Sequence, residues 1–117
     1  MFLRFFSKRN NVFIRVKKDD DVHICFMDLL TQSHAEALLR AIKKQFKIRS
    51  LDGGSYFAEG VYTFEVTGRP IVFYWDDFSG GVIKGKTVGD IDYEFAESIV
   101  EFLAKKYGFK RSKDFKA

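Results

Sequence analysis

The groups able to move a proton, hold a metal or act as a nucleophile are few: His23 and His34, the single cysteine Cys25, and the run Asp19, Asp20 and Asp21. Histidine works as a zinc ligand or a general acid-base only beside a partner at defined spacing, and neither histidine has one in the sequence. His23 reads as a strand-face residue and His34 as a solvated residue of a first helical turn; no motif joins either to Lys and Tyr in a ribonuclease-like site. A calcium loop spreads its ligands over about twelve residues with a Gly at the bend and a closing Glu, so three successive aspartates read as a solvated turn. Cys25 sits in an apolar run without the basic neighbours that lower a thiol pKa, so it reads as a small buried hydrophobe. One cysteine forms neither an internal disulfide nor a Cys-based zinc site. Gly53-Gly54 and Gly80-Gly81 lack the Lys and Ser or Thr of a phosphate loop and read as turns. The chain is therefore expected to be non-enzymatic, with no metal and no cofactor.

The elements that position these residues follow from periodicity. VFIRV (12 to 16) and VHICFM (22 to 27) are β-branched and aromatic runs on either side of KKDDD, which predicts a hairpin. Val12, Ile14 and Val16 share one face, as do Val22, Ile24 and Phe26. FLRFF (2 to 6) predicts an additional edge strand. Ser33 with Glu36 has capping-box spacing and predicts a helix start, after which Ala35, Leu38, Leu39, Ile42 and Phe46 form an apolar stripe. A meander follows: YFAEG, VYTFEV (61 to 66), a turn at 67 to 70, IVFYW (71 to 75) and a short VIKGK strand. IVFYW is apolar on both faces, which predicts a central strand covered on each side. A second helix runs from Thr87 or Asp90 to Tyr107, buries Ile91, Phe95, Ala96, Ile99, Leu103 and Tyr107, and ends at Gly108. The predicted fold is α+β, an antiparallel sheet of about five strands with two helices in the order ββ-α-βββ-α.

The chain of 117 residues suits one domain (1–117), with 110–117 as a frayed basic tail. Twenty aromatic residues, fourteen of them Phe, supply the core, each burying on the order of 150 to 250 Å². MFLRFF is interrupted by Arg4 and followed too soon by Lys8 and Arg9 for a signal peptide, and no apolar run approaches a membrane span. A reducing, cytoplasmic setting is expected. The net charge of +4 hides an asymmetry: residues 1–18 carry six basic and no acidic groups, 50–101 three basic against ten acidic, and 102–117 six against one. Basic ends flank an acidic middle.

Two features remain after the chemical motifs are set aside. Glu94, Glu97 and Glu101 recur at helical spacing on the second helix, with Asp90 and Asp92 near its start. A solvated face accounts for them, and so does a surface complementary to a basic protein. In YWDDFSGG an aromatic strand ends in Trp75, Asp76, Asp77 and Phe78 before a glycine turn. Trp75 as core and the aspartates as turn residues account for it; equally, aromatics beside acids on an adaptable loop are the composition of an interface hot spot.

GVYTFEVTGRPIVFYWDDFSGGVIKG, followed by DYEFAESIVEFLAKKYGF, resembles the strand-strand-WDD-G-helix half of small cytoplasmic immunity proteins from bacterial toxin systems, particularly those of contact-dependent growth inhibition. The resemblance spans residues 60–109. It implies a chain that binds and blocks one cognate secreted toxin domain, often a basic nuclease, by covering its active site or a neighbouring surface; the residues themselves put Trp75 to Phe78 and the acidic helix face forward as the expected contact surface. Many such proteins are acidic overall, so a chain at +4 departs from the pattern.

The alternative is a small nucleic-acid-binding module built on the basic ends. Arg4, Lys8, Arg9, Arg15, Lys17 and Lys18 would join Lys105, Lys106, Lys110, Arg111 and Lys113, with Phe5, Phe6, Phe13, Tyr107 and Phe109 interleaved for stacking.

Overall fold

The computed structural model describes residues 11–27 and 31–116. The expected strand at 2 to 6, and the basic and aromatic residues before Asn11, lie outside them. Among the described residues the order is β1 (Asn11–Lys17), β2 (Asp21–Phe26), α1 (Gln32–Phe46), β3 (Arg49–Tyr56), β4 (Glu59–Val66), β5 (Arg69–Asp76), β6 (Gly80–Gly85), α2 (Tyr93–Tyr107), β7 (Lys110–Arg111) and β8 (Phe115–Lys116). The α+β class and the two helices are as expected, but the sheet has eight strands rather than about five. Its order is β3-β4-β5-β6-β2-β1-β7, with β8 also on β1. All pairs are antiparallel except β1 with β7 and β1 with β8.

Strand alternation divides the sheet into two faces. Val12, Ile14, Val22, Ile24, Phe26, Ile83, Ile71, Phe73, Trp75, Tyr62, Phe64 and Val66 are buried on one and join the apolar sides of both helices in a single core. The helices lie side by side over it, with the Phe46 ring of α1 edge-on to Phe95 and Phe102 of α2 at 6.3 and 5.5 Å between centroids. The other face carries Phe13, Arg15, His23, Cys25, Val82, Lys84, Tyr74 and Val72. No helix among the described residues packs there. β5 is interior as predicted, but cover on each side is not what places it: Val72 and Tyr74 are only half-buried.

Three further expectations are corrected. Gly53 and Gly54 are not a turn but lie within β3, which shifts register between Arg49 and Asp52. A Cβ on Gly53 would stand 2.2 Å from the Val61 carbonyl oxygen, and its φ of +106° suits glycine, so Gly53 allows the outer strand to press close to β4. The cap of α1 is Thr31, two residues before Ser33; its hydroxyl accepts from the His34 backbone N–H at 3.2 Å, while Glu36 accepts from the Gln32 side chain. Residues 110–116, expected to fray, are paired: β7 and β8 add to β1, and Arg111 pairs with Glu97 and Asp114.

Candidate protein-binding surface

The nine residues singled out in the sequence separate into four places. Trp75 points into the core, 0% exposed, and its indole N–H donates to Ser55 Oγ at 2.9 Å; Ser55 Oγ in turn lies 2.7 Å from the Tyr62 hydroxyl. It is core, not contact surface, because alternation along β5 fixes Ile71, Phe73 and Trp75 on the helix side. Asp90 and Asp92 stand at the end of the sheet where β5 begins. Asp90 closes a turn by accepting from the Thr87 N–H and hydroxyl. Asp92 caps α2, accepting from the Phe95 N–H at 2.7 Å and from Arg69 at 3.2 Å. The Phe95 N–H and the Arg69 side chain hold its carboxyl below the ordinary range. On α2, Glu94 is exposed, whereas Glu97 is engaged by Arg111 and Glu101 by Lys105. The acidic row is thus partly neutralised within the chain.

Asp76, Asp77 and Phe78 lie at the other end of β5, about 23 Å from Arg69 at the usual rise per strand residue. Phe78 is 94% exposed at the tip of the β5–β6 hairpin. Asp76 shapes that tip: its Oδ1 accepts from the Ser79 N–H at 2.6 Å and the Phe78 N–H at 2.9 Å, and its carboxylate takes the Ser79 hydroxyl. These donors, the Ser79 N–H foremost, hold the Asp76 carboxyl below its ordinary range, and the hydrogen bond to Asp76 pushes the Tyr74 hydroxyl up.

The structure adds a second tip that sequence reasoning missed. Tyr56, Glu59 and Asp76 are in register across β3, β4 and β5, all on the helix-free face. Between the first two, the hairpin turn places Phe57 at φ +55°, a left-handed backbone that a bulky side chain rarely adopts. Tyr56 and Phe57 are 72% and 79% exposed, with ring centroids 4.4 Å apart. With Tyr74, Glu59, Asp76 and Asp77 they surround an open pocket of about 450 Å³. The signal for Tyr56 and Phe57 was an aromatic pair just before Ala-Glu-Gly, which reads as strand unless the turn is placed.

Glu59 and Asp76 face each other directly, an arrangement that costs stability between like charges. Among the described residues no ion pair engages Glu59, Asp76 or Asp77. Exposed aromatics, a positive-φ turn and carboxylates without an ion pair thus meet at one end of the sheet.

The residues that could do proton chemistry are otherwise engaged. His23 is buried; its Nε2 lies 3.0 Å from Asp21 and its Nδ1 3.2 Å from Arg15. Asp21 only accepts, so the proton sits on Nε2 and Nδ1 accepts from the guanidinium, leaving no ring nitrogen for a substrate. Burial pulls the His23 pKa below its ordinary value against the pull of Asp21, and burial pushes the Cys25 thiol up. His34, expected to be solvated, is half-buried with an unpartnered Nδ1. Of the aromatics expected to stack on bases, Tyr107 and Phe109 are buried. No helix among the described residues is long and apolar enough to cross a membrane.

Comparison with known proteins finds no protein-family model, no curated protein and no solved structure that matches this chain.

Proposed function

We propose that this chain is a non-enzymatic immunity protein, which binds a cognate secreted toxin, a basic nuclease domain, one to one in the cytoplasm and blocks it. The supporting observation is the pair of hairpin tips, where exposed Tyr56, Phe57 and Phe78 stand among unpaired Glu59, Asp76 and Asp77. Aromatic anchors carry most of the binding energy at protein interfaces, and a rim of one charge speeds encounter with the opposite charge. The resemblance over residues 60–109 supplies the kind of partner. The contact surface is narrower than the sequence suggests: Asp77 and Phe78 belong to it, Trp75 supports it from below, and Asp90, Asp92, Glu94, Glu97 and Glu101 lie away from it.

The test is capture by the tagged chain from a nuclease-treated lysate of its source cells. One protein retained at equal stoichiometry, lost when Phe57→Asn and Phe78→Ser are combined, and toxic to cells unless co-expressed with the wild-type chain, is the expected result. Retention only of material that nuclease removes would instead favour nucleic acid, bound through the basic segments.

A further inference from the structure

We propose that the pocket between the two hairpin tips receives an arginine side chain of the bound protein, the guanidinium lying against Tyr56 and Phe57 and pairing with Glu59 and Asp77. This deepens the protein-binding reading and rests on it.

Three observations carry it. The first is charge. Glu59 and Asp76 are direct cross-strand neighbours and Asp77 follows, so three carboxylates border one opening without a basic residue among those lining it. Arg15, which lines the adjoining groove together with Asp76, turns its guanidinium to His23 instead, and no ion pair joins it to Asp76. A cation from outside would relieve the repulsion that the fold leaves in place.

The second is shape. Guanidinium is planar, stacks on aromatic faces and presents paired donors that match carboxylates; ammonium offers a compact point charge without the stacking surface. Tyr56 and Phe57 supply the aromatic wall, and their rings touch each other rather than the core. Asp76 is committed to the Ser79 and Phe78 N–H groups, so it supplies field, while Glu59 and Asp77 retain free carboxylate oxygens among the described hydrogen bonds.

The third is the turn itself. Phe57 holds a left-handed conformation that Asn or Gly would adopt more easily, so an aromatic stands there against local preference.

The test uses the ¹⁵N-labelled full chain and three blocked tripeptides, Gly-Arg-Gly, Gly-Lys-Gly and the neutral isostere Gly-citrulline-Gly. Titration with the arginine peptide is expected to shift the amides of Tyr56 to Glu59 and Asp76 to Ser79 with millimolar affinity, on the order of the weakest measurable binding. The lysine peptide should bind about threefold more weakly and citrulline at least about tenfold more weakly. Glu59→Gln with Asp77→Asn should remove the arginine response while leaving the rest of the spectrum in place. Shifts as large with citrulline, or none at the tips with arginine, would overturn the inference. If the tips capture a protein through Phe57 and Phe78 yet ignore arginine, the guanidinium pocket fails and the protein-binding reading stands. If arginine binds but tip substitutions do not affect capture, it is the protein-binding reading that fails.

Discussion

The backbone N–H of Asp77 donates to the carbonyl of Ala58 at 2.8 Å, which extends the β4–β5 ladder past its last paired residues and ties one hairpin tip to the other. The backbones of the two tips are therefore held together, which lowers the cost of ordering the loops on binding.

Phe57 and Phe78 consequently separate stability from binding. Phe57→Asn relieves a left-handed aromatic and should leave unfolding free energy unchanged or raise it by about 0.5 kcal/mol, while partner affinity falls at least about tenfold. Phe78→Ser should weaken binding with a stability change within about 0.5 kcal/mol. Thermal melts and a binding isotherm with the captured partner check both; a parallel loss of stability and affinity would place these rings in the fold instead.

Gly60 faces Trp75. A Cβ there would stand 2.4 Å from the indole nitrogen and 2.6 Å from Ser55 Oγ, displacing the hydrogen bond that satisfies the buried indole. Gly60→Ala should cost about 1 to 3 kcal/mol in urea unfolding and red-shift the Trp75 emission as water gains access.

The tail is integral to the sheet. Deleting residues 110–117 removes β7 and β8, the Asp114 carboxylate that accepts from the Ile14 N–H, the Tyr93 hydroxyl bond to Asp114, and Arg111 beside Glu97. The expected loss is at least about 2 kcal/mol. Arg111→Ala alone should cost less, about 1 kcal/mol, since the pair is partly solvated. An unchanged melting temperature on deletion would count against this pairing.

His23 gives the pH dependence a sign. Its folded pKa lies below the ordinary 6.5, burial being the main cause. The unfolded chain therefore binds the proton first, and stability falls as pH drops below about 6.5 until the folded value is passed. Urea titrations at pH 7.5 and 5.5 should show this fall, and His23→Gln should reduce it.

Much of this molecule was legible because alternation and helical spacing are local. The faces of β1, β2, β4 and β5 and the apolar sides of α1 and α2 follow from counting residues. β3 was not legible: RSLDGGSY carries little β propensity, and only its pairing with β4 makes it a strand. The two hairpin tips that carry Phe57 and Phe78 meet at one end of the sheet through strand register, and no window of sequence contains that register. Trp75 shows the opposite error, since the same alternation that marked β5 also turns Trp75 inward, away from the loop whose composition drew attention to it.

The partner strands of β1 have consequences for how the molecule forms. Ile14 and Asp114, joined through a backbone-to-carboxylate bond, are 100 positions apart. During synthesis from the N-terminus, β1 and β2 can zip early, but the mates that the described residues give the outer side of β1 follow α2 in the chain and are made later. A nascent chain stalled after α2 would lack these two mates for a strand rich in Val, Phe and Ile. Residues 110–116 thus close an edge of β1 that would otherwise lie open among the described residues, through contacts about 100 positions apart in the chain.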